Sequence, residues 1–382
     1  MKDTRRPLFL LTLAAVVIAL VPTGRVVANE YSLYGDAGLG LFIVPDPAGA
    51  FALGAYTDFR FDHRLSFDWG ELTVRHKTIL DGHGGVGGFG QPIRHVVNQA
   101  ALSIWPVDAV TFQLGRFSIP WGVGYVFHPG DALHPVRSPD GETPGFDGVA
   151  VTWTPSTDVS GTVALRFDTA YGPEWHRRVR SAVHGSAYVL GVDVKLGVVF
   201  QEKTVFRPSV GLAVPAGPVV FHAEAAVELA GESAADLIGG DTDGVTDDPA
   251  QLVSAALGLP DLLAGRRTWA SSAGANYSRF FGSHTITVLG ECLFIAEPPA
   301  GLGRHFVYPS VSWDWDARFQ VEQAAFLDVD GRRAVLATSG TIAPFTALEF
   351  TLGLYSTAGL PGGDGGAALS FEAVRAEARL FF

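Results

Sequence analysis

The sequence predicts an all-β chain, a transmembrane antiparallel β-barrel of about 18 strands, with about 16 as the alternative count. Three observations carry that expectation. The chain is 47% hydrophobic, has a mean hydropathy of +0.23 and is only 17% charged. Past its first segment, however, no stretch approaches the roughly 20 apolar residues of a membrane helix. Its apolar residues instead come in short alternating runs cut by Gly, Pro and Asp, with 46 glycines and 26 phenylalanines in all. That is the punctuation of strands rather than of amphipathic helices. Finally, the terminal segment 367–382 puts Val374, Ala376, Ala378, Leu380 and Phe382 on one face at period two, and Arg375, Glu377 and Arg379 on the other. An apolar face opposite a charged one suits a strand between lipid and a wet lumen. Ala, Glu and Arg also suit a surface helix, so this segment alone leaves that reading open.

The N-terminus reads as a secretory signal peptide. Lys2, Arg5 and Arg6 precede an apolar run from Leu8 to Val21, and a Val26-Val27-Ala28 site follows. Residues 1–28 are expected to be cleaved, leaving 29–382 as one barrel domain. The net charge of −12 argues against a nucleic-acid partner. Cys292 is the single cysteine, which excludes an intrachain disulfide framework.

In order, strands are expected at 31–44, 51–61, 65–80, 94–105, 109–120, 149–154 and 159–169. The second and third are joined by a tight turn at Asp62-His63-Arg64. The segment 186–214 divides into strands at 186–196, 198–205 and 207–214, followed by 218–230. Strands near 267–281, 284–295, 304–314, 318–328, 332–343, 347–358 and 367–382 complete the chain. With that division, the long connections 81–93, 121–146, 170–185, 231–266 and 359–366 fall at one end and the short turns at the other. Outer-membrane barrels have this asymmetry, with long extracellular loops and short periplasmic turns. A soluble sandwich or a propeller is the alternative, but no repeat of fixed period supports a propeller.

Charges on the inward faces include Arg60, Arg75, Lys77, Arg166, Glu224, Glu228, Glu322, Arg375, Glu377 and Arg379. Closure would bring the first and last strands together. The cations there would then form a basic stripe opposite Glu224, Glu228 and Glu322; the alternative is that these charges pair across strands and fill a polar interior. The long connection after residue 120 carries Asp131, His134, Arg137, Asp140 and Glu142. One reading folds it into the lumen, where it narrows a pore; the other leaves it as an external cap with solvated charges. The acidic stretch 241–248 invites a calcium reading, but it lacks the ligand spacing of a calcium loop. The histidines show no metal spacing, and Gly-x-Ser-x-Gly and Cys-x-x-Cys are absent. No metal, cofactor or enzymatic role is expected.

The stretch from Gln113 to Pro135 is the most distinctive. It resembles a motif of porin-like bacterial outer-membrane β-barrel proteins that reads roughly Leu-Gly-Arg-Gln-x-Ile-x-Trp-Gly-x-Gly, then Asn-Pro-x-Asp and a downstream Pro. Leu114, Gly115, Arg116, Ile119, Trp121, Gly122, Gly124, Pro129, Asp131 and Pro135 match. Phe117 and His128 stand where the pattern has Gln and Asn. The C-terminal Phe382 is similar to the ending of the closing strand in such barrels. The resemblance implies a barrel in the outer membrane of a Gram-negative bacterium and no particular substrate; the strand number and charged interior point to passive diffusion of small hydrophilic solutes. The resemblance also implies outer-membrane lipid and the barrel-assembly machinery as partners, with Phe382 as the assembly signal, and leaves a homo-oligomer open. A non-conducting barrel for surface binding or envelope assembly is the first alternative, and a barrel hydrolase the second.

Overall fold

The structure is a computed structural model. It describes residues 30–45, 51–83, 93–119, 121–129, 131, 133, 145–167, 179–201, 205–230, 267–296, 303–359 and 369–382. The expected signal peptide and the acidic stretch 241–248 lie outside the described residues.

Eighteen strands follow one another along the chain. They are β1 (Glu30–Pro45), β2 (Phe51–Phe67), β3 (Gly70–His83), β4 (Ile93–Val107), β5 (Val110–Phe117) and β6 (Phe146–Ser156). Next come β7 (Val159–Arg166), β8 (Arg180–Val189), β9 (Val192–Gln201), β10 (Val205–Ala216), β11 (Val219–Ala230) and β12 (Arg267–Phe281). The last are β13 (His284–Ala296), β14 (Gly303–Trp315), β15 (Phe319–Asp328), β16 (Arg333–Phe345), β17 (Leu348–Gly359) and β18 (Leu369–Phe381). Each pairs antiparallel with its neighbour in sequence, and β1 also pairs with β18, from Asp36↔Phe381 to Ile43↔Val374. The sheet is therefore a closed barrel. Closure leaves no sheet edge, so no row of backbone N–H and C=O groups has to be satisfied by hydrocarbon.

The period-two pattern sorts the residues as expected. Leu39, Leu41, Leu352, Leu354 and Leu380 are large apolar side chains left exposed on the outer face. Arg375, Glu377 and Arg379 point inward and bond to one another and to β1 and β2. At the short-turn end, Trp105, Trp153, Tyr188, Phe281, Trp315, Phe345 and Phe382 remain exposed. Such an aromatic girdle suits a membrane–water interface.

Several strand ends shift by a few residues, such as β5, which stops at Phe117 rather than 120, and two differences move a turn. Asp62, His63 and Arg64 lie inside β2, and the chain turns at Asp68-Trp69. Three consecutive polar residues read as a turn, but each has a place in the wall. Asp62 and Arg64 meet inside the barrel, where Arg75 reaches Asp62 at 2.7 Å. His63 stacks outside between Tyr31 and His76. The second difference is in β8–β10, which run from Arg180 rather than residue 186, with a turn at Leu190-Gly191. Both of those residues have positive φ, 53° and 84°, as a two-residue hairpin turn with the right twist requires. The strand count is unaffected.

Candidate functional site

The wall of β6–β10 is shallow on its inner face. Ala150, Ala164, Ala182, Val199 and Arg207 are successive cross-strand partners in one row. A second inner patch, Ala270, Leu293, Ile295 and Phe306, lies on β12–β14. Inside a water-filled barrel both apolar patches would face solvent. They are instead covered by the segment that follows β5.

That segment leaves the wall at the motif. Gly115 has φ +118°, and a Cβ there would overlap the Ala100 carbonyl. Arg116 grips Asp147 with two bonds, 2.7 and 3.1 Å, and reaches the Val97 carbonyl at 3.2 Å, which braces β5 against β4 and β6. The chain then turns inward. Trp121 is 2% exposed, packs in one cluster with Phe117, Leu133, Phe146 and the alanine row, and stacks on His184 at 5.1 Å. Farther along, Phe127 packs with the second patch and sits edge-on to Phe326 at 5.5 Å. The segment therefore has two apolar feet on separate arcs of the inner wall.

Between the feet its main chain is tied to wall side chains. Lys195 donates to the Gly122 carbonyl at 2.7 Å, and the Val123 N–H donates to Glu224 at 2.9 Å. Tyr125, Val126 and Phe127 all donate their N–H groups to the carboxylate of Glu291, at 3.1, 2.9 and 3.0 Å. Arg207 holds the Pro129 carbonyl and pairs with Glu228 at 3.2 Å, and Arg166 donates to the Leu133 carbonyl at 2.8 Å. Gly122, at φ +102°, and Gly124, whose Cβ would lie 2.6 Å from Glu291 Oε1, allow this approach. These anchors come from β7, β9, β10, β11 and β13. Tyr125 presents a half-exposed ring to the lumen.

The facing arc, where β1–β3 meet β18, is polar. Arg379 is bonded by Asp36 and Glu377 and stands 3.6 Å from Asp58. Asp58, fully buried, also receives Arg60 at 3.0 Å and Lys77 at 3.4 Å. Arg375 pairs with Glu377 at 2.6 Å and bonds the Tyr56 hydroxyl, which itself donates to Glu377 at 2.9 Å. The expected basic stripe is in fact a network in which carboxylates alternate with the cations. The expected acidic stripe is largely used up: Glu224 is buried beneath the segment, and Glu228 is paired.

Of the loop residues singled out from sequence, Asp131 is buried with 0% exposure, so it does not face the lumen. His134, Arg137, Asp140 and Glu142 lie outside the described residues. Sequence reasoning missed Glu291, Arg207, Asp36 and Asp147. Glu291 carried one signal: a lone carboxylate among Leu289, Leu293 and Ile295 on the inward face of β13. A carboxylate in such surroundings needs bonded partners.

No protein-family model matches the chain, and no curated protein matches it in sequence. Solved structures do match its shape. OccAB1 of Acinetobacter baumannii superposes with a TM-score of 0.58 at 8% identity, covering 94% of this chain and 98% of that one. OccK2 (OpdF) of Pseudomonas aeruginosa, solved in complex with glucuronate, gives 0.56 at 10% identity, covering 93% and 98%. A BenF-like porin from Pseudomonas fluorescens Pf-5 gives 0.56 at 10% identity, covering 93% and 99%. At these identities the likeness establishes the fold: this chain is a closed barrel of the kind seen in the Occ and BenF-like porins.

Proposed function

We propose that the protein is a porin-like channel of a bacterial outer membrane that passes small hydrophilic solutes by diffusion. The observation that carries this reading is the segment after β5, whose described residues 121–129, 131 and 133 dock along the inner wall and face an ion-paired polar arc. Barrels of this strand number enclose an aqueous channel, and a segment fastened inside narrows it without closing the sheet. The folds of the solved neighbours agree, and one of them binds glucuronate, a small anionic sugar. The long-connection end would face the cell exterior, and the short-turn end, with both ends of the strand series, the periplasm. Residues 1–28 would direct export and be removed.

The mechanism needs no chemistry on the solute. Water and solute share a lumen whose polar arc pairs cations with carboxylates, so a passing ion meets partners of both signs. Conduction requires such binding, weak enough to release. Purified protein in planar bilayers should give stepwise currents with modest ion preference. Absence of current above leak would refute the channel and favour the non-conducting barrel.

A further inference from the structure

Glu291 has an environment that no other wall carboxylate described above shares. Its side chain is wholly buried, yet it accepts three consecutive main-chain N–H bonds from a segment 164–166 residues away in sequence. Successive N–H groups converging on one anion form a nest, and here the anion is supplied by β13. On its other side lies His222, 3.7 Å from Oε1 and itself fully buried, with Tyr125 edge-on to the imidazole at 5.2 Å. Gly124 closes the fit, since any side chain there would run into Glu291 Oε1.

The energetics are asymmetric. With the segment docked, Glu291 has lost its water, and the three charge-assisted bonds replace it. With the segment withdrawn, Glu291 would be an ordinary carboxylate in a wet lumen, at little cost. The apolar feet give the segment adhesion, and among its main-chain ties the nest is the one that holds three consecutive residues to a single wall side chain. We propose that Glu291 is the positioning residue that latches segment 121–133 against the wall and thereby sets the bore of the channel. The proposal rests on the channel reading for its consequence, but the latch itself is independent of conduction.

The experiment uses the full chain. Single-channel currents and polymer exclusion are recorded for the native protein, Glu291→Gln, Glu291→Asp, and both a shortened segment and the shortened segment carrying Glu291→Gln. Glu291→Gln keeps the volume but loses the charge and turns an N–H₂ toward N–H donors. It should enlarge the conductance step and the polymer cut-off, with noisier open states. Glu291→Asp should fall between, and in the shortened background Glu291→Gln should change nothing further. A second readout does not depend on current. Val126→Cys in a Cys292→Ser background is labelled with a hydrophilic maleimide, and Glu291→Gln should speed labelling by on the order of tenfold or more, the loss of at least one charge-assisted bond. If the native protein conducts and Glu291→Gln matches it in step, cut-off and labelling, the latch is refuted and the channel stands. If the native protein carries no current, the channel reading fails, and labelling alone decides the latch.

Discussion

Replacing Trp121 with alanine removes the larger part of one foot of the lumen segment. The side chain is 2% exposed and stacked on His184. Its floor is Ala150, Ala164 and Ala182, short side chains on hydrogen-bonded strands that cannot move in to fill a void. Truncation of a buried Trp costs about 3–5 kcal/mol, and the stacking contact is included in that range. The barrel closes through β1 and β18, away from this site, so the cost falls mainly on docking of the segment. That corresponds to a shift of about a hundredfold to a few thousandfold in the balance between docked and released states. The assay is paired. Heat-induced migration on gels reports whether the barrel folds, and single-channel recording reports the segment. The expected outcome is a folded barrel whose open-channel current is larger and visibly noisier. A folded Trp121→Ala barrel with the native, quiet current would refute the argument that this foot holds the constriction.

Other expectations follow from the seam. Arg379→Met leaves Asp36, Asp58 and Glu377 without their shared cation, which should cost up to about 3–5 kcal/mol and lower the gel-shift temperature of the barrel; an unchanged temperature would show that Arg60, Lys77 and Arg375 suffice. Deleting Phe382 removes the reciprocal backbone pair with Gly35, both bonds 2.9 Å, and the edge contact with Phe61. The folded fraction recovered in the outer membrane should fall; because Phe381 would then end the strand, Phe382→Ala is compared with it, and normal insertion of both would exclude Phe382 as an assembly signal. Glu224→Gln should loosen the segment less than Glu291→Gln, since one main-chain bond at Val123 is at stake rather than three; an equal effect on open-channel noise would contradict that ranking.

How much of this was readable in the sequence depends on how local each determinant is. The barrel was readable because period-two alternation recurs along the chain, and β18 shows it without a break from Val374 to Leu380. Turn positions were less so. Asp62-His63-Arg64 has turn composition, and only the partners on β1 and β3 keep it extended. The departure of the segment from the wall was marked by Gly115, Gly122 and Gly124, but the motif does not say where the segment goes. That is decided by inner patches such as Leu293, Ile295 and Phe306, which blur the alternation of their own strands because they are covered by Phe127. Glu291 has its partners across the barrel, and nothing adjacent to it in sequence points to them. The charged arc was read incompletely for a related reason: Arg375, Glu377 and Arg379 were visible together on β18, while Asp36 on β1 and Asp58 on β2 become neighbours of Arg379 only on closure.

The most direct test of the whole account is the current through single barrels with and without the lumen segment. Residues 122–131 would be replaced by a short flexible linker, with Arg116 and Asp147 left in place to hold the rim. The account predicts discrete openings in both proteins, with a markedly larger step and a higher polymer cut-off in the shortened one. Equal steps would contradict the constriction, and silence from both would contradict the channel.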